Sequence, residues 1–158
     1  MPQTNGIAER NVRSTKDGGR ACLTTSGFSV NGWKNLANKA YCFGSNLRED
    51  EDGFTPYFLK HGIEFTGIKI PIGRLVYFQP QPDVFDKQDD FRPKRIPGVF
   101  CGYHLQPGNI WSGDYLVADL DNFTASGCEI GIDATPRQAK IQRIKEITIP
   151  DGPPSFPL

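Results

Sequence analysis

Glu9, Arg13, Lys16 and Arg20 follow one another at steps of four, three and four residues. On a helical wheel of about 100° per residue the three cations fall within about 40° of the glutamate, so one carboxylate heads a basic stripe. A row of cations attracts phosphate whatever the base sequence. The plainer alternative is a solvated helix face on which Glu9 and Arg13 form an i,i+4 pair worth a few tenths of a kcal/mol. Other chemistry is thin. Cys22, Cys42, Cys101 and Cys128 make no C-x-x-C step, and His61 and His104 stand apart from any second ligand at metal spacing, which argues against a structural zinc site and for reduced, core-filling cysteines.

The elements that would carry the stripe follow from composition and period. Eighteen basic residues balance eighteen acidic ones, which excludes a chain coated in positive charge; any basic surface is local. Residues 1–48 hold seven of the cations and two of the carboxylates, while twelve of the thirteen prolines stand at Pro56 or beyond. The apolar runs are far shorter than the roughly 20 residues of a membrane span, and no signal peptide opens the chain. Periodicity predicts helices over 7–24 and about 31–46, the second with Trp33, Leu36, Ala37 and Ala40 on one face. The far side of the first carries Ile7, Asn11, Ser14, Gly18 and Cys22, mostly small residues suited to close packing. Gly18-Gly19 costs a helix about 2 kcal/mol against two alanines, which predicts a kink or break.

The acidic run Glu49–Asp52 reads as a solvated linker, assigned to 49–66. From Gly67 the period becomes two, and strands at 74–78, 98–103 and 114–118, separated by Pro, Gly, Asn and Asp, predict a small β-barrel over 67–125. Residues 80–95 read as its long loop and Gln106–Asn109 as a tight turn. An extension over 126–149 holds a possible strand at 129–133 and a basic stretch from Arg137 to Lys145. The proline-rich tail, 150–158, reads as an extended linker.

The segment Pro2-Gln3-Thr4-Asn5-Gly6-Ile7-Ala8-Glu9-Arg10, followed by Arg13, closely resembles the last helix of the catalytic core of retroviral-type integrases, in the form found in copia-type long-terminal-repeat retrotransposons. The resemblance runs on through Gly32-Trp33, Thr55-Pro56-Tyr57, His61-Gly62, Gly73, Val76-Tyr77 and Gly98-Val99-Phe100-Cys101-Gly102-Tyr103, covering roughly residues 2–125. It implies an α+β chain in which the C-terminal helices of an RNase-H-like core precede a small Src-homology-3-like β-barrel. It also implies Mg²⁺ or Mn²⁺ chemistry, with Glu9 as the catalytic, metal-binding glutamate. Asn5, Arg13, Lys16 and Arg20 would then lie against DNA phosphates.

In that family two upstream aspartates complete the metal site, because two hard cations need several carboxylate oxygens. Glu9 alone cannot hold them. The expectation is therefore a piece of an integrase polyprotein, inactive alone, that binds DNA weakly and without specificity. Its partners would be the rest of the core or other integrase subunits, and its place the nucleus if it serves integration. A stand-alone small-barrel interaction module is the alternative.

Tyr77, Phe78, Phe100, Tyr103, Trp111 and Tyr115 read either as barrel filling or as a stacking surface, with Trp111 the one expected to be exposed. Asn122-Phe123-Thr124 matches a glycosylation pattern by coincidence. The two helices should dock on each other, on the barrel or on another chain.

Overall fold

The computed structural model describes residues 2–28, 30–80, 95–121 and 141–158. The expectations for the loop at 80–95, the strand at 129–133, the Asn122 pattern, Cys128, Arg137 and Lys140 fall wholly or mainly outside these residues. The architecture is α+β: α1 (Pro2–Ser26), α2 (Val30–Asn46) and α3 (Pro56–His61) precede β1 (Leu75–Phe78), β2 (Ile96–Gln106), β3 (Ile110–Asp119), β4 (Ile141–Ile144) and β5 (Ile147–Thr148). Among the described residues no helix is long and apolar enough to cross a membrane.

The strands form one antiparallel sheet in the order β4-β3-β2-β1-β5. Two residues separate β4 from β5, yet these strands pair at opposite ends of the sheet, Ile144 with Tyr115 and Ile147 with Phe78. In a flat sheet they would stand four strand spacings apart, about 19 Å. Three residue steps reach only about 10–11 Å. The sheet must therefore curl until its ends approach. Register shifts at Phe100/Gly102 and Tyr103/Leu105 bend β2, and Gly102 adopts φ 133°, a value L side chains rarely take.

Curling gives the sheet two apolar faces. Ile70, Val76, Phe78, Phe100, Tyr115, Val117 and Ile144 fill the inside. Val99, Cys101 and Ala118 point outward and pack with Leu23, Phe28, Ala37 and Ile72. Adjacent residues of β2 thus serve different cores, which is why 98–102 form one continuous buried run. A third cluster, Phe43, Leu47 and Tyr57 with Phe65 and Trp111, joins α2 and α3 to the sheet.

The helices dock on each other and on the sheet. A side chain on Gly18 would overlap the Tyr41 ring, and one on Gly19 would overlap Asn38. The glycine pair is therefore where α2 approaches closest, and α1 is assigned as helix straight through it. Helical continuity through the pair stands where a kink or break was expected; on the small-residue side Gly18 meets α2, while Ile7, Asn11 and Ser14 are exposed.

Two other expectations change. The 49–66 stretch contains α3, capped by Thr55, whose Oγ1 accepts from Phe58 N at 3.1 Å, and ended by Gly62 in the left-handed region at φ 73°. Its Tyr57 is buried. The tail is a strap rather than a free linker: Leu75 N donates to Ser155 O at 2.7 Å, and Leu158 packs on the outer core.

One substitution at two helical glycines should act in opposite directions. Gly18→Ala should lower unfolding stability by about 1–3 kcal/mol through overpacking against Tyr41. Gly44→Ala, with open space around its position, should raise it by up to about 1 kcal/mol. Urea midpoints with matched slopes would measure both, and Tyr41→Ala should relieve most of the Gly18→Ala loss.

Candidate nucleic-acid interface

Three sides of α1 have three fates. Gly19, Leu23 and Ser26 are buried and face α2 and the turn at Gly73. Gly18, Ala21, Cys22 and Thr25 border an open groove. Glu9, Arg13, Lys16 and Arg20 occupy the remaining side, all exposed. Docking of the other two sides is what turns the stripe outward.

Arg20 lies 3.7 Å from Asp17 one turn earlier, with both side chains largely exposed, a pair of little energetic weight. The expected Glu9–Arg13 pair is not among the ion pairs of the described residues; Arg13 and Lys16 face solvent. Asn5 lies on the same helix, and its side chain is outside the described set. Cations at the sheet are differently placed. Arg143 is held by Asp114 at 3.0 Å, while Arg95 pairs with Glu146 at 3.9 Å and contacts the Thr148 hydroxyl. The stripe on α1 therefore offers a row of exposed cations in which, among the described residues, Arg13 and Lys16 have no ion pair and Arg20 only a weak one.

The metal chemistry implied for Glu9 finds no matching donor set here. Among the described residues no group of three His, Cys, Asp or Glu side chains could hold an ion, and Glu9 stands on a solvated helix face. His61 packs edge-on against Tyr57 with ring centroids 4.6 Å apart. We derive no step through a metal.

The aromatic residues resolve towards packing. Trp111, expected to be exposed, is half-buried: its indole N–H donates to Asp114 O at 2.8 Å, and its ring lies 4.9 Å from Phe65 and 5.1 Å from Tyr115. The flanking Gly and Ser residues suggested a loop tip, whereas Gly67 leaves the space the indole fills.

The sequence reading missed the work of the tyrosine hydroxyls. Tyr115 Oη accepts from Ile68 N at 3.0 Å. Tyr103 Oη accepts from Ile70 N at 2.9 Å and donates to Ile68 O at 2.6 Å. Tyr57 Oη accepts from Trp111 N at 3.1 Å. The first three bonds satisfy backbone groups of the irregular segment at Ile68–Ile70, and the fourth ties α3 to β3. Their partners lie 33 to 54 residues apart in sequence, so only the aromatic composition hinted at them.

No protein-family model matches the chain, and no match emerges among curated proteins or solved structures.

Burial pushes the Cys101 thiol up to about 12 against a backbone hydrogen bond from Ala118. Burial likewise lifts the Tyr103 hydroxyl to about 12, opposed by the Ile70 bond and aided by Tyr115. The unfolded chain releases these protons from ordinary values of 9.0 and 10.0. The unfolded state then binds fewer protons than the folded state, so stability falls as pH rises. Unfolding free energy should decline from about pH 9 towards 12, and less steeply in Cys101→Ala. At pH 8, mass spectrometry after brief alkylation should find exposed Cys42 modified and Cys101 protected.

Proposed function

We propose that this chain is a nucleic-acid-binding part of a copia-type retrotransposon integrase polyprotein, contributing DNA contacts but no catalysis by itself. The observation that carries the reading is the outward row Arg13, Lys16 and Arg20 on the helix whose first turns bear the integrase-like motif. The row is long enough for a few phosphates and reads no bases, so binding is non-specific and salt-dependent.

The RNase-H-like origin of the helices and the Src-homology-3-like character of the sheet belong to the same proposal. A meander of β1 to β4 followed by β5 pairing on β1 supports a small barrel, and a helix pair packed through glycines supports a piece of a layered core. A second reading, a stand-alone interaction module, is favoured by one observation: α1 and α2 share a core with Val99, Cys101 and Ala118 of the sheet, so the helices are part of one folded body.

Replacing Arg13, Lys16 and Arg20 together by alanine should flatten the slope of log K against log salt for duplex DNA by up to roughly 2–3 units, at about 0.9 per lost phosphate contact. An unchanged slope would remove α1 as the contact surface and leave the interaction module as the better reading.

Strand cleavage or joining should be absent with Mg²⁺ or Mn²⁺, since no group of three metal-ligating side chains forms among the described residues. Metal-dependent strand transfer that vanished in Glu9→Gln would overturn the non-catalytic part of the proposal.

A further inference from the structure

A groove of about 980 Å³ runs between α1, the end of α2 and the segment 69–72. This is the size range of small-molecule sites. Arg13, Lys16 and Arg20 are not among its lining residues, although it shares Ala21 and Thr25 with a shallower depression bordered by Arg20. Its apolar lining includes the half-buried rings of Tyr41 and Tyr103, with the buried Ile70 and Phe100 behind them.

The groove is kept open by missing side chains. Gly44 and Gly102 both border it, and a Cβ on either would meet nothing within 4 Å. At Gly44 the helix does not require glycine, and any larger residue would stand in this space. At Gly102 the bend in β2 selects glycine, and the same absence of a side chain bares this lining.

Charge at the rim gives the occupant its sign. Arg48 and Lys69 border the groove with one carboxylate, Glu49. All three are exposed, and neither cation is in an ion pair among the described residues. An apolar lining below a net positive rim complements a molecule with an apolar body and one negative head.

We propose that this groove binds a small organic anion, an alkyl or aryl body carrying one carboxylate, with the body on the rings of Tyr41 and Tyr103 and the carboxylate at Arg48 and Lys69. The inference is independent of the DNA-binding reading.

Decanoate is a suitable probe, with decylamine as its cationic counterpart, both titrated below micelle formation and followed by calorimetry and amide chemical shifts. Decanoate should bind at least about tenfold more tightly than decylamine, because only one head complements the rim. Shifts should map to α1 residues 18–25, the end of α2 and residues 69–72.

Arg48→Glu and Lys69→Glu, both at exposed positions, should each weaken decanoate by roughly three- to tenfold. Gly44→Phe should abolish binding while the thermal midpoint and the salt slope for DNA hold. Equal affinity for the two probes, indifference to both charge reversals, or full binding by a folded Gly44→Phe variant would overturn the proposal. Should Gly44→Phe fail to fold, the two charge reversals decide it.

Discussion

Burial of β2 on both of its faces is the constraint from which the rest of the structure follows. Phe100 points into the curl of the sheet, while its neighbours Val99 and Cys101 point out beneath the helices. Over residues 98–102, flanked by β1 and β3 and covered above and below, the strand has no solvated side, which is why that stretch carries no polar side chain. The inner face can close only if the sheet curls, and the bulges along β2 supply the bend. The outer face can be hidden only by α1 and α2. Helix docking and sheet curvature are thus two consequences of one strand's composition.

Docking in turn decides where charge is displayed. The side of α1 carrying Gly19 and Leu23 is occupied by α2 and the core, and the small-residue side faces the groove. Only the remaining side can bear long cations without burying them, since unpaired buried charge is costly. Neutralising an exposed cation on that side removes little packing. The surface proposed to meet phosphate can therefore be altered without disturbing the core that presents it. Arg95 and Arg143 differ in that each is tied to a carboxylate across the sheet.

What the sequence made legible was local period. The apolar face of α2 and the change to a period of two after Gly67 each depend on neighbours within a few residues, and each has a counterpart in the fold. Contacts across long separations left weaker marks. Nothing near Tyr115 indicates that its hydroxyl serves Ile68, and Trp111 looked exposed because the glycine that makes room for it lies in another segment. α3 was hidden by the acidic run before it, although Thr55-Pro56 at its start and Gly62 at its end are recognisable stop and start signals. At the candidate site the row of cations could be read directly. The role proposed for Glu9 rests on resemblance to a motif, and among the described residues no group of three His, Cys, Asp or Glu side chains could hold a metal ion.

The long helix α1 joins a docked half to a solvated one. Every residue from 6 to 14 is exposed, whereas Gly19, Leu23 and Ser26 are buried. A free helix of that length is marginal in water because nucleation is unfavourable, but elongation from a formed turn adds one hydrogen bond per residue fixed. The docked half supplies that turn. Its glycines cost intrinsic helicity, yet they permit the approach of Tyr41 and Asn38 that holds the half in place. Arg20 and Lys16 lie on or beside this anchored part, and Arg13 and Glu9 lie on the part it propagates. The presentation of the cations is therefore set by helix geometry propagated from the packing at Gly18 and Gly19 rather than by the cations themselves.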